Sequence, residues 1–152
     1  MKRISKLTFL GFALFVSAAL FTLNAEIKMP AIFSDNMVLQ QQSDVAIWGW
    51  AKANTSVRVG TSWDKKKYST KSDANGYWEL KVKTPAASFT PYTVTVSDGK
   101  SITLNNVLIG EVWVCSGQSN MEMPMRGFPN EPIEGGPQAI ATSTNSNIRC
   151  FT

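Results

Sequence analysis

The chain has 152 residues, 43% of them hydrophobic, and a formal charge of +4, which suits one globular domain, or one small domain and a piece of another. Without Lys2, Arg3 and Lys6, twelve cations face eleven anions, so the remainder gives no electrostatic reason to expect nucleic acid or an anionic membrane as partner. There is no histidine, and the only cysteines, Cys115 and Cys150, are 35 residues apart, which argues against a metal site.

Residues 1–25 read as a secretory signal peptide: a basic start, an apolar core over residues 7–21, then Leu23, Asn24 and Ala25 ahead of Glu26. The core falls short of the roughly 20 residues that span a bilayer. A cleaved signal with no stable membrane anchor is expected, and a periplasmic or secreted protein. The residue after the cleavage point is Glu26 and not cysteine, so a lipid-modified N-terminus is unsupported. That compartment permits a disulfide, and whether Cys115 and Cys150 pair stays open. Both lie in apolar, strand-like surroundings, so buried free thiols are the expectation.

In residues 26–42 two short apolar runs flank Ser34, Asp35 and Asn36, a trio suited to a turn. From Val45 the pattern is β. Val45, Ile47 and Gly49 alternate with Ala46, Trp48 and Trp50; Val57 and Val59 flank Arg58; Trp78, Leu80 and Val82 alternate with Glu79, Lys81 and Lys83. Asp98-Gly99 between two further β runs reads as a hairpin. Short strands at this spacing, with no convincing 3.6-residue period, point to a small antiparallel β-sandwich over residues 26–106. Trp48 and Trp50 share a face, expected to pack in the core; a sugar-stacking platform is the alternative. Lys65, Lys66 and Lys67 read as a solvated hairpin tip, with an anion-binding patch as the other reading.

Asn105 and Asn106 mark a boundary in this reading, and residues 107–152 begin a second domain. Residues 107–115 are mostly apolar and rich in valine, as expected of a strand buried on both faces in a parallel sheet. In open α/β sheets the ligand sits beyond the carboxyl ends of the strands, where residues 116–120 fall. Trp113 is expected to pack beneath that loop. A serine there needs a base and oxyanion donors. Gly117 allows a sharp turn, but a Gly-x-Ser-x-Gly elbow is disfavoured because Met121 occupies its last position. Gln118 and Asn120 flank Ser119 and either hold the loop or touch substrate, and Glu122 either orients a partner or is solvated at a helix start. A Pro- and Gly-rich segment follows, then a short helix over residues 138–143. Residues 147–152 look like a next strand, inside which the sequence stops, so the chain looks truncated.

The string Gly110-Glu111-Val112-Trp113-Val114-Cys115-Ser116-Gly117-Gln118-Ser119-Asn120-Met121-Glu122-Met123-Pro124 closely resembles the first signature block of the sialate O-acetylesterase family, a branch of the SGNH hydrolases. Residues 29–40 resemble the start of the mature family members. The resemblance implies a mixed β and α/β fold: an antiparallel β-sandwich, then the incomplete start of an SGNH-type, flavodoxin-like α/β/α domain. It implies a secreted esterase that removes O-acetyl groups from sialic acid or a related acetylated sugar through an acyl-serine intermediate, without metal or cofactor. Ser119 is the implied nucleophile, its own backbone N–H helping to bind the oxyanion. The Gly, the Asn and the Asp-x-x-His pair of SGNH enzymes come from later blocks and match nothing here, so the fragment alone is expected to be inactive. The other readings are a non-catalytic carbohydrate-binding sandwich and a truncated remnant.

Overall fold

The computed structural model describes residues 26–151, and the expected signal peptide lies outside them. In chain order they form strands β1 (Val38–Gln40), β2 (Asp44–Trp50), β3 (Ser56–Thr61), β4 (Lys67–Lys71), β5 (Tyr77–Lys83), β6 (Ser88–Ser97) and β7 (Ser101–Gly110), then helices α1 (Ser119–Glu122) and α2 (Gly136–Thr142). One sheet has the order β1-β7-β6-β3-β4 and a second pairs β2 with β5. All pairs are antiparallel except β1 with β7, which is parallel.

Period-two alternation gives each sheet one apolar face. Val57 and Val59 of β3, Val94 and Val96 of β6, and Val107 and Ile109 of β7 join Ile47 of β2 and Trp78 and Val82 of β5 in one buried cluster. Each such side chain contributes roughly 1.5–3 kcal/mol on leaving water. The expected hairpin is present: Ser97 faces Ser101 across a turn in which Gly99 takes φ 128°, a conformation that suits glycine. The Ser34, Asp35, Asn36 turn is also present. The Asp35 carboxylate accepts the Asn105 N–H at 2.6 Å, tying the turn to β7.

Several expectations are corrected. Asn105 and Asn106 do not interrupt the strand, because β7 runs through them. They form a bulge: from Tyr92↔Val107 to Val94↔Leu104, β6 advances two residues and β7 three, and Asn106 takes φ 53°. The extra residue shifts the phase, so that Leu104 and Val107 both face inward. Val107, Leu108 and Ile109 are buried as expected, but the strand ends at Gly110 and residues 111–117 form no strand. Trp113 is 83% exposed instead of packed. Cys115 and Cys150 are free and exposed, not buried. Trp50 is 46% exposed, whereas Trp48 packs on the core as expected, half-buried and edge to face with Phe33 at 4.6 Å; the inward face of β2 belongs to Ile47 and Gly49. Residues 147–151 form no strand, since no neighbouring strand among the described residues offers them a ladder. The segment is held instead by Arg149, whose guanidinium donates to the Met37 carbonyl (3.2 Å) and to the Asn106 carbonyl and side-chain oxygen.

Candidate active site

Ser119 is the first residue of α1, a single helical turn after the strandless segment that leaves β7. The sequence favours a sharp entry here. Gly117 has no Cβ, and one built there would lie 2.9 Å from Met121 Cγ, so the glycine lets the Met121 side chain fold back over the loop. Gln118 precedes the helix with φ −105° and ψ −135°, and its carbonyl accepts the Met121 N–H at 2.9 Å. That bond closes the turn and leaves the first N–H groups of α1 without helical partners, including that of Ser119. Ser119 and Glu122 are exposed. Asn120 is the second residue of the same turn.

The direction in which this segment leaves the sheet is fixed by a polar clamp that the sequence reading missed. The Glu111 carboxylate accepts hydrogen bonds from Gln40 Nε2 at 3.0 Å and Gln41 Nε2 at 2.6 Å. Gln40 Oε1 accepts the Val112 N–H, and Gln41 Oε1 accepts the Ala87 N–H, both at 2.9 Å. The Gln41 N–H donates to the Gly110 carbonyl at 2.8 Å. The side-chain amides of Gln40 and then Gln41 hold the Glu111 carboxyl below its ordinary value, because they stabilise the charged form. The only local signal was a glutamine run ending one apolar stretch and a glutamate ending another, some 70 residues apart.

The structure thus places Gln118, Ser119, Asn120 and Glu122 along one helical turn and its entry, with Gln118, Ser119 and Glu122 exposed. It does not bring a histidine to Ser119, since the 152 residues contain none. Trp48 and Trp50 do not make a paired platform: Trp50 stands edge to face with Tyr77 at 6.2 Å, whereas Trp48 is packed on Phe33. A groove of about 600 Å³ lies elsewhere, over β3, β4 and β6, and none of its lining comes from residues 102–151.

No family model matches the chain. Sialate O-acetylesterase from Rattus norvegicus is 35% identical over 132 residues, and that from Mus musculus 33% identical over 133; each match covers 80% of this chain and 24% of the relative. The human sialate O-acetylesterase is 28% identical over 106 residues. Among solved structures, a carbohydrate acetylesterase from Xanthomonas citri aligns with a TM-score of 0.67 and 33% identity, over 80% of this chain and 26% of that one. The chain therefore spans about a quarter of the length of the relatives it matches. Similarity at this level in sequence and backbone makes the chain a member of the sialate O-acetylesterase family.

Proposed function

We propose that this chain is the N-terminal part of a secreted carbohydrate esterase that removes O-acetyl groups from sialic acid or a related acetylated sugar. Secretion rests on the signal-like residues 1–25. The observation that carries the activity is the 33–35% identity to acetylesterases over 80% of the chain. A continuous span of that size includes Ser119 wherever it starts. In this reading the two sheets form a β-sandwich, and the SGNH-type α/β/α domain begins as the chain leaves β7. Val114, 92% exposed among the described residues, would be covered by the rest of that domain.

Ser119 Oγ attacks the acetyl carbonyl carbon as a general base takes its proton. The sugar oxygen leaves with a proton, and water then releases acetate from the acyl-serine. The free N–H at the start of α1 meets the developing oxyanion. Gln118 and Asn120 border the ester and contact the sugar. The base comes from outside these 152 residues, because they hold no histidine.

Ser119→Ala in the complete protein tests this. Deacetylation of an O-acetylated sugar is expected to lose about a thousandfold or more in kcat, with KM little changed. Wild-type activity in that variant overturns the assignment.

A further inference from the structure

The outer face of the five-stranded sheet carries a feature that ester hydrolysis at Ser119 does not use. Period two and the strand register put Arg58 and Gly60 of β3, Lys67 of β4, and Thr95 and Ser97 of β6 on that face, opposite the buried valines. The lining of the 600 Å³ groove there includes Arg58, Lys65, Lys66 and Lys67 and no carboxylate. The nearby acid, Asp64, is spent inside the β3–β4 hairpin: it accepts from Thr61, Tyr68 and the Lys66 N–H, and pairs with Lys66 Nζ at 3.6 Å. That pair is the one salt bridge among the described residues, so Arg58, Lys65 and Lys67 keep their charges for the groove.

Lysines on an edge strand also discourage strand addition. That does not account for Arg58, because β3 is flanked by β4 and β6. Nor does it account for the hollow. A Cβ on Gly60 would meet only the Thr95 carbonyl, at 3.9 Å, so the missing side chain leaves open space on β3, one strand in from the β4 edge of the sheet, and deepens the trough there. Its volume lies within the roughly 300–1,000 Å³ of small-molecule clefts. Hydroxyls beside it, Thr95 among them, can both donate and accept, the chemistry that sugar hydroxyls require. A concave surface of one sign concentrates ligands of the other.

We propose that this trough binds an anionic polysaccharide, its carboxylates answered by Arg58, Lys65 and Lys67 and its ring seated over Gly60. The choice of a glycan over other polyanions rests on the carbohydrate-esterase reading; the site itself is independent of Ser119. It would hold the protein on an acidic polymer while the Ser119 loop works elsewhere on the chain.

The test is equilibrium binding by the complete protein to polygalacturonate, to neutral dextran and to inorganic polyphosphate. Polygalacturonate is expected to bind, more tightly than polyphosphate and without competition from dextran, and to weaken as salt rises from about 50 to 500 mM. The double variant Arg58→Gln, Lys67→Gln is expected to lose about tenfold in affinity. Gly60→Val fills the trough without changing charge, and is expected to lose about fivefold with an unchanged melting temperature, since valine favours strands. Ser119→Ala should bind as wild type, which separates this site from the esterase assignment. Undiminished binding in Gly60→Val, polyphosphate bound as tightly as polygalacturonate, or no binding to polygalacturonate each overturns the proposal.

Discussion

Gly49 lies in β2 directly opposite Trp78 of β5, between two tryptophans of its own strand. Glycine weakens a strand unless something else occupies the space of its side chain. Here two things do. Lys28 and Trp50 exchange backbone hydrogen bonds of 2.8 and 2.9 Å, bringing the N-terminal segment against β2. The buried Trp78 indole fills the other side. A Cβ on Gly49 would collide with the Lys28 carbonyl and come within 3.2 Å of Trp78 Cζ2. Gly49→Ala is therefore expected to destabilise the fold by about 2–3 kcal/mol through overpacking, read as a lower urea midpoint with an unchanged slope. This residue also explains why Trp50 was misread. Alternation assigns Trp48 and Trp50 to one face and Ile47 and Gly49 to the other, but which face turns inward is decided by Trp78, across the strand and far along the chain. A local pattern holds no such information.

The β3–β4 hairpin illustrates the same division between local and distant signals, and it carries a pH dependence. Burial pushes the Asp64 carboxyl upward, but hydrogen bonds from the Thr61 hydroxyl, the Lys66 N–H and the Tyr68 hydroxyl, with the Lys66 charge, outweigh it and hold it below its ordinary value. A carboxyl depressed on folding stabilises the folded state above its unfolded pKa, and that contribution is lost as pH falls through the folded value. The stability gap between wild type and Asp64→Asn is expected to be constant near neutrality, to shrink below about pH 4, and to be gone once the carboxyl is protonated. Thermal melts of both proteins between pH 7 and pH 2 check this; a gap that persists at the acid end would mean that Asp64 acts through shape alone. At this scale β2, β3, β5 and β6 were legible because alternation is a property of consecutive residues. The β7 bulge was misread as a boundary because two asparagines suit a turn and a left-handed bulge equally. The Ser119 turn was legible because its motif is contiguous. The clamp of Glu111 on Gln40 and Gln41 was not, since it joins ends of strands that meet only in the folded sheet.

Across the whole molecule, burial is divided unevenly along the chain. The apolar core draws on residues 27–109 alone, while Trp113, Val114, Met121, Met125, Phe128, Ile148 and Phe151 are all exposed to half or more of their surface, or close to it. So many large apolar side chains exposed along one stretch of chain are unusual for a folded surface. The matched relatives are about four times as long as this chain, and in the proposed reading the rest of an esterase domain covers these side chains. The two parts are joined chiefly by polar contacts: the Glu111 clamp at the exit of β7, and Arg149 on Met37 and Asn106. Exposed hydrogen bonds of this kind contribute about 0.5–1.5 kcal/mol each. Residues 26–111 retain the whole core and the bonds of the Glu111 carboxylate to Gln40 and Gln41, and give up the Val112 N–H on Gln40 and the Arg149 contacts. That stretch is accordingly expected to fold alone, unfold in one cooperative step, and melt within about 8 °C of the 152-residue chain. It should bind little of a hydrophobic dye, which the longer chain should bind strongly through residues 112–151. A stretch 26–111 that melts without cooperativity would show that its core depends on later residues, and would count against the proposed boundary at the end of β7.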